Sequence, residues 1–294
     1  MMRRLLAIAN PISGRGHSLR LVPRIAQLAE RTGVEIKITL TERAGHGREL
    51  AAAAAGQGYD GVMAVGGDGT INEVINGIGP HGLPLLVVPQ GTGNVLAKEM
   101  KATRRLDRYV RALGEWRTRK RDLGQLSTGR LFACFVGAGF DGQCTKAFAE
   151  RKGSIRMVQY VPIMWNAIRH SDFSSVVVNG EEGKTSGPSS YALVSITPEY
   201  GGPIALTGKA IADDGRFDVL TIHERISPIT LLKLVGYAFV RRMGRAASAR
   251  FMRCTEVEIR ADEQVPIQVD GDFAGYLPVS AKILPNALRY FQPD

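Results

Sequence analysis

The sequence predicts an α/β domain followed by a domain built mainly of antiparallel β-structure. Two observations carry that expectation. Over the first 100 residues, short apolar runs alternate with helical patterns, the sequence form of a parallel sheet with crossover helices. From about Leu123 the apolar runs follow one another with few helical stretches between them, which favours antiparallel pairing. The 294 residues, 44% hydrophobic and 22% charged, hold enough material for two such cores and exclude fibrous or disordered classes.

In the first part, LLAIA (5–9), VEIKITL (34–40), GVMAV (61–65) and LPLLVV (83–88) read as strands. SLRLVPRIAQLAER (18–31) and GRELAAAAAG (47–56) place apolar residues at i, i+3 and i+4 and read as helices, and a third helix begins near Ile71. In the second part the expected strands are LFACFVG (131–137), SSVVVN (174–179), YALVSIT (191–197), FDVLTIH (217–223), EVEIRA (256–261), PIQVD (266–270) and VSAKIL (279–284). The boundary falls near residue 123, with no Ser/Gly-rich linker to mark it.

The formal charge of +10 favours anionic partners without choosing among them. Cys134, Cys144 and Cys254 are odd in number and lack CxxC spacing, so neither a disulfide framework nor a zinc site is indicated, and a reducing cytoplasm fits. The start, MMRRLLAIANP, offers too few apolar residues for a signal h-region. ITLLKLVGYAFV (229–240) is shorter than the roughly 20 apolar residues of a membrane span and carries Lys233, so a soluble or peripheral protein is expected.

Each strand of the first part ends in a loop rich in Gly, Asn, Asp or Thr, where open α/β sheets bind ligands. The strongest is GVMAV-GGDGT-INEVING, in which Gly66, Gly67 and Gly69 let backbone amides approach a polyanion and a helix N-terminus adds partial positive charge. Asp68 among them makes sense beside phosphate if Mg²⁺ lies between. Capping of a plain βα turn is the competing reading, and it does not need three glycines. PQGTGN (89–94) repeats the logic with Gly91, Thr92 and Gly93, and Ser13-Gly14-Arg15-Gly16 follows the first strand. No GxxxxGK[ST] occurs, so a Walker loop is excluded. GAGFDG (137–142) matches G-x-G-x-x-G but lacks the later acidic residue of a dinucleotide site, and reads as a strand-to-helix turn.

QVDGDFAG (268–275) sets Asp270 and Asp272 either side of a glycine, which suits a hairpin turn as well as catalysis. AIADDGRFDV (210–219) is an Asp-Gly turn in which Asp214 and nearby carbonyls are able to hold a hard cation. The five histidines form no ligand-spaced pair. Positive charge is concentrated: Lys98 to Arg121 holds ten basic residues against three acids, a local net of +7. A second group, Arg241, Arg242, Arg245, Arg250 and Arg253, follows the apolar run 229–240, a pattern that suits either an interfacial helix on anionic lipid or a core helix with a solvated end. The basic residues lack the pattern of interleaved aromatics expected of a stacking platform, so nucleic acid is not an expected partner.

Taken in order, NPISGRG, GGDGTINEVING, PQGTGN, GAGFDG, ADDGRFDV and VDGD resemble the diacylglycerol kinase catalytic family of soluble bacterial lipid kinases, related to sphingosine and ceramide kinases. The resemblance covers essentially the whole chain. It implies a Rossmann-like nucleotide-binding α/β domain over 1–123, with 285–294 returning to it, a β-sandwich lipid-substrate domain over 124–284, and an active site in the cleft. It further implies ATP held by Thr41, by Gly66, Gly67, Asp68, Gly69 and Thr70, and by Gly91, Thr92 and Asn94, with Asp68 organising Mg²⁺. Asp272 takes the place of the base toward a lipid hydroxyl, where the family usually has Glu, and Val95 stands where an Asp is frequent. A second, structural Mg²⁺ is implied at Asp214 with the carbonyls of Ile211 and Arg216. The implied activity is γ-phosphoryl transfer to a lipid alcohol, diacylglycerol first, with a sphingoid or other lipid-alcohol kinase as the alternative. NAD kinase and a catalytically lost membrane-surface binding protein are more distant. Anionic lipids on the inner face of the membrane are the implied partners.

Overall fold

The computed structural model describes residues 2–14, 20–91, 93–150, 175–181, 185–201 and 204–294. Two compact units divide the chain, Met1–Leu123 with Leu284–Asp294, and Gly124–Ile283.

The first unit is a three-layer α/β fold. Strands β1 (Arg4–Ala9), β2 (Glu35–Leu40), β3 (Gly61–Gly66) and β4 (Leu85–Pro89) pair in parallel in the order β2-β1-β3-β4. The two central strands and β4 are buried along almost their whole length, as crossover helices on both faces require. Alternate residues divide between the faces. Leu5, Ala7, Met63, Val65, Leu86 and Val88 join Ile25 and Leu28 of α1 (Val22–Thr32) and Tyr109, Ala112 and Leu113 around α5 (Val110–Gly114). Helices α2 (His46–Ala54) and α3 (Asp68–Ile78) pack against each other and against the sheet. Gly77 permits their close approach, since a Cβ there would lie 2.4 Å from the Arg48 carbonyl oxygen.

The second unit is a β-sandwich. One sheet has the antiparallel order β13-β12-β9-β7-β15-β16, from β13 (Ala249–Cys254), β12 (Phe217–Ile222), β9 (Tyr191–Ser195), β7 (Phe135–Gly139), β15 (Pro266–Val269) and β16 (Asp272–Tyr276). The other contains β8 (Val177–Gly180), β14 (Glu256–Arg260) and the first half of β17 (Val279–Tyr290). Val136, Val194, Val219 and Ile267 from the first sheet pack with Val178, Ile259, Val279 and Ala281 from the second in one core. Phe132 stacks on Phe217 with ring centroids 5.7 Å apart. Helix α6 (Phe140–Ala149) follows β7 directly, and α7 (Pro228–Phe239) starts at an N-cap, Ser227, whose hydroxyl accepts from the Thr230 amide.

One expected strand is broken for an identifiable reason. The run 131–137 divides into β6 (Leu131–Phe132) and β7 because the amides of Ala133, Cys134 and Phe135 donate to the Asp270 carboxylate, at 2.8, 2.9 and 3.0 Å. The expected strand 174–179 and helix 18–31 begin in residues outside the described set.

Candidate active site

In the first unit, three strand-end loops interlock at the carboxyl edge of the sheet. Each contact is made by a glycine. Gly14, with φ of 61°, sits so close to Gln90 that a Cβ would lie 2.6 Å from its carbonyl oxygen. A Cβ on Gly91 would lie 2.8 Å from the Gly67 Cα, so the loops after β3 and β4 touch backbone to backbone. Gly93 packs against Asp68, its absent Cβ position 3.1 Å from Oδ2. Side chains at these positions would force the loops apart and fill the rim. The glycine run therefore has a packing reason, and it leaves a backbone-lined surface of the kind that accepts phosphate.

Asp68 begins α3, so its half-buried carboxylate stands at a helix N-terminus whose partial positive charge stabilises it. The Gly69 backbone is exposed there. Thr70 points inward instead. It is buried, its Oγ1 accepts from Asn10 Nδ2 at 3.3 Å, and Gly66 lies against it. Asn94 holds a left-handed conformation, φ 51°, and closes its own loop: Oδ1 accepts from the Gly91 amide at 3.0 Å while Nδ2 donates to the Gly91 carbonyl at 2.6 Å. Thr70 and Asn94 thus shape the loops from behind. Thr41 is buried just beyond β2, its amide bonded to the Ala9 carbonyl. Thr92, Arg15 and Gly16 lie outside the described residues.

A residue the motifs did not single out fixes the fourth loop. Glu73, one turn into α3, accepts from the amides of Gly45 and Gly47 at 2.8 and 3.0 Å, tying the loop after β2 to the helix that carries Asp68. Part of the cationic stretch 98–121 is engaged by neighbouring acids and a carbonyl. Arg105, Arg111 and Arg117 pair with Asp107, Glu115 and Asp294, and Arg104 donates to the Pro89 carbonyl at 2.8 Å, bracing the end of β4.

In the second unit, Asp270 and Asp272 have separate tasks. Asp270 and Gly271 take positive φ, 51° and 92°, and form the two-residue turn between β15 and β16. The Asp270 carboxylate is the acceptor for the three amides that split β6 from β7, and burial raises its pKa against the opposing pull of those bonds. Asp272 emerges from the turn 62% exposed, with Arg130 Nη2 at 3.7 Å. It is the accessible carboxylate of the pair.

Behind this turn runs a buried polar chain that the sequence did not reveal. Asp141, at the start of α6, accepts from Tyr200 Oη and from Gln268 Nε2, the latter at 2.7 Å; Gln268 Oε1 accepts from the Gly271 amide at 2.7 Å. Gln268 is fully buried and Asp141 nearly so. Desolvation pushes the Asp141 carboxyl up to about 6, against the lowering effect of both hydrogen bonds. Gly137 is required beneath it, because a Cβ there would lie 1.9 Å from Asp141 Oδ2.

The Asp214 carboxylate is already engaged. Oδ1 accepts from the Arg216 amide at 3.1 Å and Oδ2 pairs with the Arg253 guanidinium, which also reaches Asp218 at 3.4 Å. Ile211 is exposed beside it. Among the described residues no cluster of three or more His, Cys, Asp or Glu side chains is placed to hold a metal ion. The donor set at Asp214 thus has a guanidinium where a cation would sit, and does not fit a resident magnesium. At Asp68 the glycine cradle and single carboxylate do fit a magnesium-bound polyphosphate.

Comparison with known proteins agrees with this arrangement. Residues 4–126 match the diacylglycerol kinase catalytic domain, and residues 134–292 match the YegS C-terminal NAD kinase beta sandwich-like domain. A diacylglycerol kinase of Mycobacterium tuberculosis H37Rv is 27% identical, the match covering 99% of this chain and 95% of the relative. One of Bacillus subtilis 168 is 26% identical over 94% of this chain and 92% of its own. A crystal structure of a Bacillus anthracis Sterne diacylglycerol kinase shares the fold at a TM-score of 0.70 and 17% identity, covering 99% of this chain and 96% of that one. With its catalytic domain followed by the YegS-type sandwich, and with the glycine-bound loops that the fold draws together, the chain belongs to the diacylglycerol kinase catalytic family.

Proposed function

We propose that this chain is an ATP-dependent lipid kinase that transfers the γ-phosphoryl group to the hydroxyl of a lipid alcohol, with diacylglycerol as substrate and phosphatidic acid as product. The observation that carries the proposal is the interlocked edge of the α/β unit, where Gly14, Gly67 and Gly91 bring three loops into backbone contact around Asp68. The half-buried backbone at Gly67, the exposed backbone at Gly69 and the N-terminus of α3 hold the phosphates, while Asn94, Thr70 and Glu73 fix the loops that present them. Thr41 and Thr92 contact the nucleotide. Asp68 orients Mg²⁺, which when bound neutralises phosphate charge during transfer. Asp272 takes the proton of the lipid hydroxyl as its oxygen bonds to the γ-phosphorus and the bond to ADP breaks. Asp270 and the Tyr200–Asp141–Gln268 chain hold that carboxylate in position. The substrate is met at a membrane surface.

Incubation of the purified protein with labelled ATP, Mg²⁺ and a panel of diacylglycerol, sphingosine, ceramide and NAD, followed by separation of the products, tests the assignment. Label in phosphatidic acid is the expected result. Label in another lipid phosphate replaces the substrate, and no label in any lipid overturns the kinase reading.

A further inference from the structure

Helix α7 presents apolar residues in two directions. Leu234 and Ala238 are buried, facing β11 (Ile204–Ala205) and the turn Met243–Arg245. On the other side Ile229 is 68% exposed, Leu232 74%, Phe239 62% and the following Val240 56%. At about 100° per residue these four positions fall within one arc of roughly 100°, with Gly236 near its middle. A surface helix normally turns a polar face outward, and here the only charge near the arc is Lys233 at its edge. Apolar area of this kind, gathered on one helix, marks a surface that is covered in use.

The surrounding charge identifies what covers it. From Arg225 to Cys254 there are seven basic residues and no acidic one. Arg241 is paired with Glu199, but Arg242 and Arg245 stand exposed just past the helix end. On β13, Phe251 is 47% exposed beside the exposed Arg250. A second copy of this chain would bring the same positive rim against itself. A lipid surface supplies acyl chains for the stripe and phosphates for the rim together.

We infer that α7 is a membrane-docking helix, which lies in the interface of an anionic bilayer with Ile229, Leu232, Phe239 and Val240 among the acyl chains and Arg242 and Arg245 at the headgroup phosphates. The inference rests on the lipid-kinase reading for its purpose, but the binding it requires involves no turnover.

Cosedimentation of the full chain with phosphatidylcholine vesicles, with and without phosphatidylglycerol, tests it. Binding should need the anionic lipid and weaken with salt. Leu232→Ser with Phe239→Ser should weaken it about tenfold or more, by removing two inserted side chains. Arg242→Gln with Arg245→Gln should weaken it about twenty-fivefold and flatten the salt dependence, at about fivefold per basic residue. All four side chains are exposed, so the thermal midpoint and activity on a water-dispersed short-chain diacylglycerol should match the parent. Parent protein that ignores anionic vesicles, or Ser variants that bind like the parent, would overturn the inference. So would a dimer in sedimentation equilibrium that the Ser variants dissolve. Vesicle binding without phosphorylation of any lipid would instead remove the kinase reading and leave the docking surface standing.

Discussion

Replacing Gln268 with leucine probes whether the buried chain behind the Asp270–Asp272 turn sets the catalytic geometry. Leucine keeps the volume but removes both partners: the amide that donates to Asp141 at 2.7 Å and the oxygen that accepts from Gly271 at 2.7 Å. The buried Asp141 oxygen left unpaired costs about 1–3 kcal/mol, and the exposed Gly271 amide, which water can reach, about 0.5–1.5 kcal/mol, so the loss of stability should be about 1.5–4.5 kcal/mol. The two terms separate with pH. A Gly271 amide without an acceptor costs the same at any pH, whereas Asp141 escapes its share by binding a proton. Its carboxyl already titrates at about 6 because burial outweighs its hydrogen bonds, and loss of one of those bonds raises it further. In urea unfolding, Gln268→Leu should therefore cost less at pH 5 than at pH 8, by about 1.4 kcal/mol for each unit of added shift within that window. In kinase assays kcat should fall while the KM for ATP holds, because the turn belongs to the sandwich unit and not to the glycine loops. An equal stability cost at both pH values, or an unchanged kcat, would show that Gln268 neither tunes Asp141 nor positions the turn.

Four further outcomes follow from the same contacts. The unfolded Asp141 titrates near 3.8 and the folded one near 6, so its protonated form favours the native state; its contribution is fully present below pH 3.8 and lost as pH rises through 6, a swing of about 3 kcal/mol. Comparing the pH dependence of unfolding with that of Asp141→Asn isolates this term. Gly91→Ala drives a methyl to 2.8 Å from the Gly67 Cα, so ATP affinity measured by calorimetry should fall about tenfold or more as the loops part. Glu73→Ala frees the amides of Gly45 and Gly47, and should cost about 1–3 kcal/mol and speed proteolysis within 42–47. Asp270→Ala strips three amides of their acceptor, and should cost about 3 kcal/mol or more with loss of activity.

Legibility in the sequence varied with the range of the interaction. The parallel strands were plain because burial on both faces leaves continuous apolar runs, as in LPLLVV, and the phosphate-type loops were plain because glycine is a local signal. The tertiary use of those glycines was not visible, since Gly91 meets Gly67 across 24 positions of chain. Asp270 and Asp272 could not be separated by spacing; the three amides of 133–135, far away in sequence, make one structural and leave the other exposed. Asp141 stood inside a G-x-G-x-x-G match that drew attention to its glycines, and nothing local to it names Tyr200 or Gln268 as partners. β13 has no strand signature in the sequence because ARFMRC, an edge strand, exposes its basic residues and Phe251 instead of alternating.

The exposed carboxylate of Asp272 is the hinge of the functional account, and it can be tested in one comparison. Transfer of labelled γ-phosphate from ATP to diacylglycerol in mixed micelles should yield phosphatidic acid with the parent protein. Asp272→Asn, which keeps size and fold but removes the base, should lower kcat by about a hundredfold or more at unchanged ATP affinity. A parent protein that phosphorylates no lipid, or an Asn variant as fast as the parent, would contradict the account.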